Sequence, residues 1–192
     1  MYLTRSEILN NGITNIHPSI DNNSPNVLKE IWNKFILMNN VCVHTSILQN
    51  NKFDVKFNLW EDTHLWLRIA SQYKVHQLET ITTIQIVHEE SSVQELFNNV
   101  NIENSSKEIE AINDLFDQHN HIISKYLTDK DKREYISRKY NMYLYLSRQK
   151  KLLLTSLQIW TKAFLNSPSF YLIAEFPKIF INSMGIGVYA KK

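Results

Sequence analysis

The spacing of apolar residues changes near His88, and this change limits the folds open to the chain. Before it lie short runs that favour strands, the densest being residues 80–87, which are threonine, isoleucine or valine except at Gln85. β-Branched residues favour strands, whereas apolar residues that recur at every third and fourth position favour helices. Every apolar repeat after His88 has helical spacing. The sequence therefore predicts an α/β part followed by an all-helical part.

The boundaries of the main elements follow from this spacing. We expect strands at residues 41–45 and within residues 75–87, and a helix that opens near Glu61. Residues 1–23 are polar and rich in asparagine, which predicts a loop with one short helix. The helical part is predicted to contain helices at residues 93–100, 107–126, 131–147, 150–165 and 169–182.

Composition excludes several classes of protein. Only three glycines occur, Gly12, Gly185 and Gly187, so a glycine-rich phosphate loop is excluded. The single cysteine, Cys42, excludes an internal disulfide. The first residues lack the apolar run of a secretory signal, and charged and proline residues interrupt the apolar segment at residues 170–190. We therefore expect a cytoplasmic protein.

The ionisable residues are unevenly distributed along the chain. Up to Ile123 there are eight Lys and Arg against fifteen Asp and Glu, and from Lys125 onward there are thirteen against four. A basic half of this kind favours contact with an anionic surface, although a solvated helical face has the same pattern. Because the basic run at residues 130–139 has no recognition motif, we expect no nucleic acid. The predicted anionic partner is the inner face of a membrane.

An apolar stripe in the same half leaves two interpretations open. Leu153, Leu157, Trp160 and Phe164 share one side of a predicted helix. A helix with this pattern either lies on a membrane or packs against its own domain.

Two adjacent carboxylates, Glu61 and Asp62, open the segment of residues 60–70, where Leu65, Trp66 and Ile69 recur at helical spacing. Acidic residues at a helix start are common, because they cap free backbone N–H groups and interact favourably with the helix dipole. The alternative is a catalytic base that projects from the end of the helix. The spacing alone favours the cap.

A longer composite pattern surrounds these carboxylates. It comprises residues 40–48, Asn-Val-Cys-Val-His-Thr-Ser-Ile-Leu, then Lys-Phe-Asp at 52–54, then residues 60–70, and finally His-Glu-Glu-Ser-Ser at 88–92. In order and spacing this pattern resembles family 2 glycosyltransferases. The resemblance implies a partial GT-A fold, with an incomplete Rossmann-like sheet, followed by an all-helical C-terminal extension. Residues 1–95 would be the acceptor-side part and residues 96–192 a basic helical extension.

The resemblance also implies roles for individual residues. Asp62 would be the general base that deprotonates the acceptor hydroxyl. Glu61 and Trp60 would bind the substrate, together with Thr45 and Ser46. His88 would approach a metal ion or the donor diphosphate. The implied partners are a nucleotide-sugar donor and a glycan or lipid-linked acceptor, and the implied cofactor is a divalent cation, Mg²⁺ or Mn²⁺.

The chain differs from this family at its start. Such enzymes have a nucleotide-binding half that ends in an Asp-any-Asp metal motif, and neither precedes Met1. The literal match, Asp129-Lys130-Asp131, comes after Asp62 and is better explained as a turn and helix cap. We therefore expect an acceptor-side fragment that is inactive alone and lacks the main ligands of the cation. The second hypothesis is a non-catalytic helical interaction protein that retains a remnant of the transferase sheet.

A further group of residues suggests metal ligation. Asp117, His119 and His121 are close in sequence, but on a helix only Asp117 and His121 share a face. Two ligands are fewer than the three or four of a stable site. The sequence therefore predicts no metal site in this chain.

Overall fold

The computed structural model describes residues 1–10, 13–17, 19–34, 36, 38–86 and 98–184. It divides the chain into two units, each made of two stretches of sequence. Unit 1 comprises Met1–Gln94 and Glu110–Thr128, and unit 2 comprises Glu95–Ile109 and Asp129–Lys192. The assignment of residues 1–95 to one domain and 96–192 to another stays a prediction.

Unit 1 contains a four-stranded mixed sheet organised around its first strand. The strands are Tyr2–Asn10 (β1), Ile13–Ile16 (β2), Val41–Cys42 (β3) and His76–Ile86 (β4). β1 pairs in parallel with β4 over most of its length and antiparallel with both β2 and β3. β3 pairs with the start of β1 and β2 with its end. Because a strand has only two edges, β2 and β3 share the edge opposite β4.

The position of β1 corrects the predicted loop at residues 1–23. Ser6 of β1 is completely buried, yet its hydroxyl accepts a hydrogen bond from the Asn40 side-chain amide at 3.0 Å. The Thr83 hydroxyl of β4 in turn donates to Asn40 at 2.8 Å. Buried polar groups are tolerated when their hydrogen bonds are satisfied. Tertiary pairing therefore makes a polar segment into the central strand.

Five of the helices that the structure describes lie wholly or partly in unit 1. They are Val27–Asn33 (α1), Thr45–Asn50 (α2), Glu61–Gln72 (α3), Ile102–Gln118 (α4) and Asn120–Ile123 (α5), with a 3₁₀ turn at Met38–Asn40. The first part of α4 belongs to unit 2 and the part from Glu110 onward to unit 1. The core of unit 1 includes Leu65, Leu67, Ile69, Ile112 and Leu115, all completely buried.

In the part of unit 2 that the structure describes, every regular element is a helix, and short turns join the helices. Its remaining helices are Asp129–Gln149 (α6), Leu153–Asn166 (α7) and Phe170–Ser183 (α8). Trp160 of α7 packs on Phe176 of α8, with ring centroids 4.6 Å apart, and its indole N–H donates to the Leu172 carbonyl at 2.7 Å. Trp160, one of the four residues of the predicted apolar stripe on α7, therefore packs within its own unit. The predicted helix at 93–100 lies largely outside the described residues.

The chain is therefore mixed α/β and mostly helical, which confirms the coarse prediction of fold class. The sheet, with two antiparallel pairings around one strand, gives no support to a GT-A part. In the described part of the chain, no helix is long and apolar enough to cross a membrane. Cytoplasmic residence and attachment to the inner membrane face stay predictions.

Lys151 lies between α6 and α7, and its backbone has a left-handed conformation, with φ of 57°. The Leu152 N–H donates to Ser147 and the Lys151 N–H to Arg148, the hydrogen bonds of a Schellman motif. The left-handed conformation costs a residue with a Cβ about 1–2 kcal/mol, and glycine adopts it without that cost.

Lys151→Gly is therefore expected to stabilise the protein by about 0.5–1 kcal/mol, after the extra entropy of glycine in the unfolded chain is subtracted. The measurement is thermal unfolding of the full chain. Lys150→Gly is the matched control, because Lys150 does not have positive φ and gains nothing from glycine. Equal effects of the two changes would contradict the conformational argument.

Candidate functional site

The segment that opens on the two carboxylates forms α3, as its apolar spacing predicts. Glu61 and Asp62 lie in the first turn of this helix. Asp62 Oδ1 accepts hydrogen bonds from the Thr63 backbone N–H at 2.5 Å and from the Thr63 hydroxyl at 3.2 Å. These contacts are the local interactions of an acidic helix start, the simpler of the two interpretations of this pair.

The other residues implied to bind substrate have different surroundings. Trp60 is buried, and its ring packs edge-on against Trp32 at 5.9 Å between centroids. Thr45 and Ser46 are exposed at the start of α2, where the Ser46 hydroxyl lies 2.8 Å from His44 Nδ1. His88 lies outside the described residues. Of these residues, Trp60 therefore packs in the core, and Thr45 and Ser46 take part in the start of α2.

An open pocket of about 440 Å³ lies elsewhere in unit 1. It is lined by the loop before α1, the end of α3 and the segment after it, and by Tyr126, which follows α5; the lining includes Asn22, Gln72 and Lys74. Glu61 and Asp62 do not line this pocket.

A polar cluster in unit 1 joins residues that the sequence analysis did not connect. His64 of α3 is buried, and its Nε2 lies 3.2 Å from Asp114 Oδ2 of α4. Lys56 Nζ contacts the other oxygen, Asp114 Oδ1, at 2.5 Å. The His119 ring lies 5.5 Å from the His64 ring, measured between centroids. The four side chains come together from distant positions in the sequence: Lys56 and His119 are 63 residues apart.

Burial and nearby charges set the protonation of this cluster. Burial, together with the positive charges of Arg68 and His119, lowers the pKa of His64 to about 4. Burial and the charge of Arg68 also lower the pKa of His119. The hydrogen bond with Asp114 raises the pKa of Lys56. Both histidines therefore hold their second ring proton less tightly than a free imidazole does.

In unit 2, the outward side of α8 is apolar. Positions 170, 173, 177, 181 and 184 fall on one side of a helix with 3.6 residues per turn. We name these residues the α8 stripe: Phe170, Ile173, Pro177, Ile181 and Met184. Phe170 is 91% exposed, Met184 66% and Ile173 54%. The opposite side of α8, with Leu172, Glu175 and Ile179, is buried.

An exposed apolar side on a helix usually indicates a surface that another molecule covers. The sequence pointed to this segment only as an interrupted apolar run. The structure shows which of its apolar residues face outward and which pack inside unit 2.

Three comparisons with known proteins complete the description. A model of the SEFIR domain family matches residues 25–182, which is most of the chain. Neither the curated proteins nor the solved structures include a match.

The family match overturns the resemblance to family 2 glycosyltransferases. A SEFIR domain is a TIR-like signalling domain, so the predictions of a glycosyltransferase and of polysaccharide biosynthesis are wrong. A nucleotide sugar and a glycan are likewise unsupported as partners. The role of Asp62 and the expected Mg²⁺ or Mn²⁺ rested on that resemblance and have no other support. The pattern around Asp62 matched because an apolar helix with an acidic first turn is common in proteins of many functions.

Proposed function

The chain belongs to the SEFIR domain family, and from this membership we propose that it is a non-catalytic signalling module that acts by binding another protein. The family match over residues 25–182 carries the proposal. Domains of this family mediate protein–protein interaction. Of the two hypotheses drawn from the sequence, this is the second, the interaction protein.

The α8 stripe supports the proposal and is the surface we assign to the partner. Apolar side chains that are exposed together on one helix can enter a groove of a partner, and the burial of their surface is favourable. Phe170 is 91% exposed, more than Ile173, Ile181 or Met184. A large aromatic side chain of this kind is a typical anchor of a binding interface.

Charge indicates the chemistry of the partner. Residues 129–184 contain ten Lys and Arg against four Asp and Glu. On α8 itself, Lys178 lies beside the stripe; it pairs with Glu175 at 2.6 Å and keeps half of its side chain exposed. Opposite charges across an interface accelerate association and exclude the wrong partners. We therefore propose an apolar segment flanked by acidic residues as the partner's binding element.

The test compares partner binding by three forms of the full chain. The stripe variant carries Phe170→Ser and Ile173→Ser, and the control carries Val55→Ser in unit 1, where Val55 is 99% exposed. Proximity labelling in the source cells first identifies proteins near the wild-type chain. Each candidate is then purified, and its affinity for the three forms is measured by calorimetry. We expect the stripe variant to bind more than about tenfold more weakly and the control to bind normally, because exposed interface anchors each contribute about 2 kcal/mol.

Two results would contradict the proposal. One is binding to vesicles of anionic lipid that depends on the stripe, with no protein partner, because it would assign the surface to a membrane. The other is an equal loss of protein binding in the stripe variant and the control. Self-association of the chain through the stripe, measured by light scattering, would show that the partner is a second copy of this chain and not an acidic segment of another protein.

A further inference from the structure

His64, Asp114 and His119 offer three metal-ligating atoms in one place within unit 1. One ligand atom from each residue, a ring nitrogen or a carboxylate oxygen, lies within 4.8 Å of the ligand atoms of the other two. His64 is 1% exposed, and the Phe57 ring covers it at 5.3 Å between centroids. The position of His64 is therefore fixed by packing, as a preformed ligand requires.

We propose that His64, Asp114 and His119 bind a divalent transition-metal ion, with zinc as the best match. Zinc binds histidine nitrogen and carboxylate oxygen at about 2.0–2.2 Å, so neighbouring ligand atoms of a tetrahedral site lie about 3.3 Å apart. His64 Nε2 and Asp114 Oδ2 are 3.2 Å apart, which matches this separation. His119 then has to approach by at most about 1.5 Å. It is only half-buried, so a change of side-chain torsion is enough.

The chemistry of the donors selects the class of ion. Two imidazoles with one carboxylate suit zinc and its transition-metal neighbours, whereas Mg²⁺ and Ca²⁺ prefer oxygen ligands alone. A histidine binds zinc through the lone pair of one neutral ring nitrogen, so each of the two rings can supply one ligand. In the metal-bound form the His64 ring carries its proton on Nδ1 and turns the Nε2 lone pair to the ion, so two metal bonds replace the hydrogen bond to Asp114.

The surrounding charges limit the affinity but leave the site usable. Lys56 holds Asp114 Oδ1 and leaves Oδ2 for the ion, a typical arrangement of an outer partner that orients a metal-binding carboxylate. Lys56 also pairs with Asp54 at 3.4 Å, which offsets part of its positive charge. The positive charge of Arg68 also acts on both histidines and weakens cation binding. With three protein ligands and two neighbouring cationic side chains, we expect a dissociation constant on the order of micromolar and a fourth position open to water.

The proposal goes beyond the function assigned to the chain and does not depend on it. It also differs from the group considered in the sequence, because it contains His119 but neither Asp117 nor His121. His64 and Asp114 come from two different helices, and no local spacing could have joined them.

The test uses the full chain, freed of metal with a chelator and titrated with zinc by calorimetry. We expect one ion per chain and, with Co²⁺ in place of zinc, the visible absorption bands of a tetrahedral site. His119→Asn and Asp114→Asn should each weaken zinc binding by about tenfold or more. The matched control is His121→Asn, two residues from His119 and outside the cluster, which should bind as the wild type does.

Several outcomes would overturn the proposal. They are no zinc binding at submillimolar concentrations, tighter binding of Mg²⁺ than of zinc, or unchanged zinc binding in His119→Asn. An equal loss in His121→Asn and His119→Asn would also overturn it, since it would place the ion on the exposed segment. Because His119 is only half-buried, its variant should fold, and circular dichroism of each variant verifies this. The Co²⁺ spectrum of the wild-type chain tests the site without any substitution.

Discussion

Arg148→Met is expected to lower the free energy of unfolding by about 3–5 kcal/mol, the typical cost of removing one partner from a buried ion pair. Arg148 of α6 forms an ion pair with Glu175 of α8 inside unit 2, where their side chains are 10% and 5% exposed. The methionine fills a similar volume but leaves the Glu175 carboxylate in the interior. The remaining cation, Lys178 at 2.6 Å, is half exposed and compensates only in part. Urea unfolding of the full chain measures the effect.

Two controls separate the lost pair from a general effect of substitution. Lys178→Met removes the more exposed partner and should cost at most about 1 kcal/mol. The double variant Arg148→Met with Glu175→Leu removes both charges and should recover most of the stability lost in the single variant. A cost below about 1 kcal/mol for Arg148→Met would mean that the pair contributes no more than a surface ion pair.

Leu67→Ala is expected to destabilise the protein by about 2–5 kcal/mol. Leu67 lies in α3 and is completely buried in the core of unit 1. Removing its outer carbons loses their transfer free energy and leaves a cavity that the neighbouring helices close only in part. Three of the four tryptophans, Trp32, Trp60 and Trp66, lie in unit 1, so tryptophan fluorescence during urea unfolding reports mainly on this unit.

Val55→Ala is the control for the core substitution. Val55 is 99% exposed in the same unit, and its truncation should change stability by less than about 0.5 kcal/mol. Similar effects of Leu67→Ala and Val55→Ala would show that α3 does not carry the core of unit 1.

The helices of the chain were largely predictable, whereas the central strand was not. The predicted helices at residues 131–147, 150–165 and 169–182 correspond closely to α6, α7 and α8, because their apolar positions recur at helical spacing. β1 was missed because Thr4, Arg5, Ser6 and Glu7 give no alternation of apolar and polar residues. What makes this segment a strand is its pairing with β4, 74 residues away where Tyr2 meets His76. A pattern read over a few residues does not contain such a contact.

The candidate site shows the same limit. The carboxylates at the start of α3 were placed correctly, since helix starts depend on local sequence. Their implied function was wrong because the surrounding pattern reflects a helix start rather than a reaction. The metal cluster was missed for the opposite reason. His64 and Asp114 are 50 residues apart, and the packing of α3 near α4 is what brings them together.

The interleaving of the two units has a consequence for how this protein can be divided or joined to others. The chain enters unit 1, passes to unit 2, returns to unit 1 at Glu110 and ends in unit 2. A gene fusion or proteolytic cut between residues 94 and 110 would separate Ile112 and Leu115 from the rest of the core to which they belong. Genetic recombination can therefore move the two units together, but a single crossover cannot replace one unit with the corresponding unit of another protein.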